Sequence, residues 1–141
     1  MTEWVDLAAA QVALADFEQR LDPARPEAAD ANVLAYGEIS AALTLAQPPA
    51  LRGVVVKRMS GFADRECAAR YLALLTEYLV RLRAAGIATV ATATVTVGVP
   101  GRRPCVYLLQ PLMPAQSLGN RLLHNSSDED LDTTVTLVLD Q

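Results

Sequence analysis

The stretch "DRECAARYLALLTEYLVRLRAAG", Asp64–Gly86, restricts the fold more than any other part of this chain. It is the strongest helical pattern present, and runs rich in β-branched residues stand on both sides of it. Asp64 suits the N-cap, where a carboxylate accepts from the unpartnered N–H groups of the first turn. Gly86 suits the position just past the end, where a left-handed residue closes a helix. Cys67, Tyr71, Leu74, Tyr78 and Leu82 fall on one face, which Leu75 and Leu79 widen.

The flanking runs read as strands. From Val33, "VLAYGEISAALTLA" holds two short strand-like runs with Gly37 near their junction. "QPPA" is a turn in which Pro48 and Pro49 fix φ. "LRGVVVKRM" is a third strand, rich in β-branched residues. After the helix, "TVATATVTV" and "PCVYLLQPLM" are strands joined by "GVPGRRP", a hairpin connection with two glycines and two prolines. The expected class is α+β: an antiparallel sheet of about five strands packed by one long helix, spanning residues 33–114. Residues 1–32 precede it as a helix over about residues 3–21 and a linker, "DPARPEAAD". The helix carries an apolar stripe of Leu7, Ala10, Leu14, Phe17 and Leu21.

Residues 115–141 begin a helical C-terminal region. A helix starts at "SLGNRLLHN", and Ser126 with Glu129 has capping-box spacing ahead of "DLDTTVTLVLDQ". Residues 131–139 fit a helical face through Leu131, Val135, Val138 and Leu139, and fit a strand through "TVTLVL", so both readings stand. The ending "TLVLDQ" has no polar tail, which favours an incomplete piece of a longer protein.

A hydrophobic fraction of 52% in 141 residues is a globular composition. A net charge of -4 argues against general nucleic-acid binding, which needs a basic footprint, but leaves room for a local phosphate pocket. The N-terminus lacks the pattern of a signal peptide, and no run of about 18 apolar residues suggests a membrane span. Cys67 and Cys105 form no C-x-x-C pair and read as reduced, buried thiols of a cytoplasmic protein.

Four places then point in one direction. "VVVK" ends a strand run in Lys57, "YGEIS" joins two strands, Glu77 sits twenty residues after Lys57 on the long helix, and "VYLLQPLMPAQSL" runs from the last strand into a helix start. With the element order, they resemble the N-terminal lobe of the protein-kinase-like fold over roughly residues 33–125. The likeness is to its aminoglycoside-phosphotransferase and other small-molecule kinase branches, among bacterial kinase-like proteins. The resemblance implies that Lys57 meets the α- and β-phosphates of ATP, and that Glu77 holds Lys57. It implies that Gly37 and Ser40 cover the phosphates in place of a full G-x-G-x-x-G loop. Gln110, Pro111, Leu112 and Met113 would be the hinge lining the adenine, with backbone groups around Leu112 reading its edge. Taken as residues alone, Lys57 reads more simply as a strand-edge lysine and Gly37 as turn geometry, while Glu77 can also be a surface partner of Arg81.

Phosphoryl transfer also needs an aspartate for the attacking hydroxyl and ligands for magnesium, which the family keeps in its C-terminal lobe. "HNSSDED" around His124 does not have that spacing, and no His/Cys grouping has metal-ligand spacing. The expectation is therefore an ATP-binding N-lobe, catalytically incomplete in this chain. The alternative is a small α+β interaction or oligomerisation module that binds no nucleotide. With no large lobe present, Leu108, Leu109, Leu112 and Met113, with Leu122, Leu131, Val135 and Leu139, lack a surface to pack on. That predicts a homo-oligomer formed through residues after about Gln110.

Overall fold

The computed structural model describes residues 4–59 and 61–113. The expectations placed beyond residue 113, including the "SLGNRLLHN" helix, His124, the Asp128–Asp130 cluster and residues 131–139, lie outside the described residues. Packing sets off residues 1–111 as one unit, and the chain from Leu112 onward as a second.

The first unit is α+β. Helix α1 (Leu7–Arg20) leads into strands β1 (Ala31–Tyr36), β2 (Ser40–Leu45) and β3 (Val54–Met59). Helix α2 (Arg65–Ala84) and strands β4 (Ala93–Val97) and β5 (Cys105–Pro111) follow. One antiparallel sheet forms in the order β1-β2-β3-β5-β4, so the strand bearing Lys57 lies at its centre.

Capping sets both helices. The Asp6 carboxylate accepts from the N–H groups of Ala8 and Ala9 at 3.0 and 3.1 Å, which starts α1 at Leu7, the head of the apolar stripe, rather than at about residue 3. Asp64 accepts from Cys67 N–H at 2.8 Å, and Gly86 closes α2 with a φ of 79°. Only Ala93–Val97 of the expected fourth strand is extended in the sheet. Just before it, the Thr92 hydroxyl turns back to donate to Val90 C=O at 3.0 Å, a local bond that competes with ladder pairing.

The sheet has two different faces. Ala10, Leu14 and Phe17 of α1 pack on one of them, against Leu43, Val56, Tyr107 and Leu109. Phe17 meets the Tyr107 ring edge-on, with centroids 6.5 Å apart. The sequence division at residue 32 has no counterpart in packing, because α1 and the sheet share one core. Helix α2 lies over the other face near Met59, Val106 and Leu108, through Ala68, Tyr71, Leu72 and Leu75. Leu74 and Tyr78, expected on its inner face, are instead 62% and 59% exposed. Small Ala68 is fully buried and makes the close approach, which rolls the helix so that Ala68, Leu72 and Leu75 face inward. Leu108 and Leu109 likewise correct the expectation of an unpacked surface: they are 7% and 0% exposed inside the first unit. Cys105 is buried and Cys67 half-buried, both as free thiols.

One charged group sits inside this core. Glu18 is 2% exposed, the only buried charged residue among the described ones. Its oxygens accept from Arg58 Nε and Nη2 at 2.9 and 2.6 Å and from the Tyr107 hydroxyl, and the Cys105 thiol lies 3.5 Å away. Arg102 Nη1 donates to the backbone carbonyls of Glu18 and Leu21 at 2.6 and 3.3 Å, closing the C-terminal end of α1. Burial alone would raise the Glu18 pKa, but hydrogen bonds from Arg58 and Tyr107 and the guanidinium charge outweigh it and hold the carboxyl below the usual range. Burial pushes the Cys105 thiol up to about 11 and moves the Tyr107 hydroxyl higher still, so both remain protonated donors.

A carboxylate with a lowered folded pKa stabilises the protein above its unfolded pKa of 4.5, and this contribution is lost as pH falls through the folded value. Urea titrations between about pH 3 and pH 7 are expected to show stability falling below roughly pH 4.5, with a shallower fall in Glu18→Gln. Glu18→Leu alone is expected to cost about 3–5 kcal/mol, because it strands a half-buried guanidinium. Glu18→Leu combined with Arg58→Met should recover most of that loss in the same titration.

Candidate functional site

Lys57 follows from strand alternation. Val54, Val56 and Arg58 face α1, so Val55, Lys57 and Met59 face the other way. In the register, Ala35 stands opposite Ala42, Ala42 opposite Lys57, and Lys57 opposite Leu108. Two alanines in that row leave space above the sheet where larger residues would fill it. The result is a groove of about 280 Å³ lined by Ala35, Tyr36, Gly37, Ser40, Ala42, Val55, Lys57 and Gln110. Among the described residues Lys57 makes no ion pair, and it is the one charged side chain lining the groove.

Four of the residues singled out from the sequence thus meet in one place: Gly37, Ser40, Lys57 and Gln110. Gln110 pairs with Val55, diagonal to Lys57. Its Nε2 donates to Thr92 Oγ1 at 3.0 Å, which holds the amide against the end of β4. Gly37 acts differently from the expectation. Its N–H donates to Ser40 C=O at 2.7 Å to close the β1–β2 hairpin, so that N–H is not available to cover a phosphate. Its φ is not left-handed; what requires glycine is space, since an added Cβ would lie 2.8 Å from Ser40 Oγ.

Glu77 is a correction. Its carboxylate binds Arg81 Nη2 at 2.5 Å, one turn along α2, and its side chain is 56% exposed. The roll of α2 about Ala68 explains this, because Glu77 then faces solvent and meets the nearest cation on its own helix. Leu112 and Met113 follow β5 and belong to the second unit. Sequence reasoning missed Ala35, Tyr36 and Ala42. Both alanines stand in the strand-like runs around the hairpin, but their partnership with Lys57 depends on cross-strand register.

Chemically, the groove offers an ammonium, a hydroxyl and an amide. Among the described residues no carboxylate lines it, and no group of three His, Cys, Asp or Glu side chains is placed to hold a metal ion. An ammonium beside a hydroxyl and an amide is chemistry able to hold an anion. No family model matches the chain, and neither curated proteins nor solved structures give a match.

The crowding at Gly37 gives a direct check. Gly37→Ala is expected to lower stability by roughly 1 kcal/mol, as the new methyl displaces the Ser40 hydroxyl. In a Ser40→Ala background the same change should cost less than half as much, so a double-mutant cycle by denaturant titration will show coupling.

Proposed function

We propose that the sheet and its hairpin form a nucleotide-binding lobe whose groove takes the phosphate-bearing end of ATP. The observation that supports this reading is the convergence of Lys57, Ser40 and Gln110 on a space kept open by two alanines. Lys57 is a compact cation on a flexible stem, suited to phosphate as a point charge. Ser40 adds a neutral donor beside it, and Gln110 marks the far wall. At about 280 Å³ the groove falls below the usual range for a whole drug-sized ligand, so it accounts for part of a nucleotide. Here the ligands for magnesium come from a C-terminal lobe, as in the family the sequence resembles. In this reading the lobe binds and does not catalyse.

A second reading is favoured by a different observation. Leu74 and Tyr78, one turn apart on α2, are 62% and 59% exposed, an apolar patch suited to a protein interaction without nucleotide.

Thermal unfolding with ATP, with and without magnesium, separates the two. Nucleotide binding predicts stabilisation that grows with ligand, about 2.7 kcal/mol at 100 times Kd, and that Lys57→Ala abolishes. A shift of equal size in Lys57→Ala places the ligand elsewhere. No shift in the wild-type chain at saturating millimolar ATP leaves the interaction reading in possession.

A further inference from the structure

A second cavity lies on the face opposite Lys57, and its chemistry is different. It measures about 220 Å³ and sits between the β1–β2 hairpin and the segment that leaves α1. Leu21 and Leu43 form its buried floor, Pro23 and Pro26 one wall, Tyr36 and Ile39 its outer rim, and Arg58 one end.

Two features show that this space is built into the fold. The first is a β-bulge between Val33 and Ala35. Val33 pairs with Leu43, but beyond the bulge it is Tyr36 that pairs with Ala41. Regular alternation would place Ala35 beside Val33 on the α1 face; the extra residue puts Tyr36 there instead, at the mouth of the cavity. Tyr36 and Ile39 are consequently 72% and 67% exposed, two large apolar side chains flanking an apolar hollow.

The second is how Arg58 is used. Nε and Nη2 are committed to Glu18, and Nη2 also reaches Cys105 Sγ at 3.3 Å. Arg58 is itself a lining residue of the cavity, and its Nη1 makes no hydrogen bond among the described residues, so the guanidinium keeps a donor to offer a ligand there. The cavity thus ends in a donor whose positive charge Glu18 already balances.

We propose that this cavity binds a small uncharged molecule: a single ring or short branched body carrying one carbonyl or hydroxyl oxygen. The volume is below that of sites for drug-sized ligands, which limits the body to about one ring. The apolar floor and walls take that body out of water. The oxygen accepts from Arg58 Nη1, with the Ser40 hydroxyl within the same lining. A carboxylate is disfavoured, because it would surrender hydration to join a guanidinium already neutralised by a buried anion. The proposal concerns the sheet face opposite Lys57, although Tyr36 and Ser40 of the hairpin border both cavities.

Benzamide and benzoate, matched in shape and different in charge, test it by NMR on the full chain at neutral pH. Benzamide at about 10 mM, some tenfold above the roughly 1 mM Kd expected of so small a ligand, should shift the resonances of Val33, Leu43 and the Arg58 guanidinium. Benzoate should bind about tenfold more weakly. Ala41→Leu, which fills the cavity from β2, should remove the benzamide shifts. Ile39→Ser, on the exposed hairpin tip where folding is not at risk, should weaken them several-fold. Absence of shifts with benzamide, equal or tighter binding of benzoate, or shifts unchanged in Ile39→Ser would each overturn the proposal.

Discussion

The buried carboxylate of Glu18 ties the two layers of this protein together. A lone carboxylate in an apolar core is strongly unfavourable, so its position holds only while Arg58 and Tyr107 reach it. Those partners sit on the central strand β3 and its neighbour β5, and Arg102 from the β4–β5 connection grips the end of the same helix. Helix α1 is therefore fixed in rotation and along its axis by directional bonds that apolar contact with Leu14 and Phe17 would not supply alone. Once α1 is placed, one sheet face is closed and the other is left for α2 and the groove.

Two adjacent cations on β3 divide along that boundary. Arg58 points inward, its planar fork matched to a carboxylate by two nitrogens, and becomes part of the core. Lys57, one residue earlier, points to the opposite face among alanines. Exchange of the two residue types would not be neutral, because a lysine cannot reproduce the forked pair and an arginine would fill the groove. The β1–β2 hairpin is shared between the faces, since Tyr36 and Ser40 contribute to the lining of both cavities.

Much of this order was legible from the sequence where the signal is local. The Asp64 cap, the Gly86 stop, the strands on either side of α2 and the "GVPGRRP" connection all rest on short-range backbone chemistry and appear as expected. Glu18 was hidden because Leu14 and Phe17 mark its face as apolar, although it stands four residues after Leu14 and so lies on the same stripe. Nothing local announces its partners, which are 40 and 89 residues away. The rotation of α2 was misjudged for a related reason. Large apolar residues such as Leu74 and Tyr78 dominate a periodicity count, while the residue that sets the contact is the alanine at position 68. The groove was found in part, since Lys57, Gly37, Ser40 and Gln110 could be picked out singly. The register that makes alanines their neighbours could not.

That rotation also decides how Lys57 is held. On a helix each residue advances about 100°, so Glu77 lies roughly 140–180° around the axis from Ala68, Leu72 and Leu75. A modest adjustment of α2 cannot bring Glu77 to Lys57, because turning it that far would expel the residues that attach the helix to Met59, Val106 and Leu108. Within the described residues Lys57 is consequently not preorganised by a carboxylate. An anion entering the groove must itself immobilise the lysine, at an entropic cost of up to about 2 kcal/mol, a factor of roughly 30 in affinity. For the proposed nucleotide role, the same packing that completes the sheet's second face predicts weak binding, whose strength would depend on how many oxygens the ligand presents to Lys57 and Ser40 together.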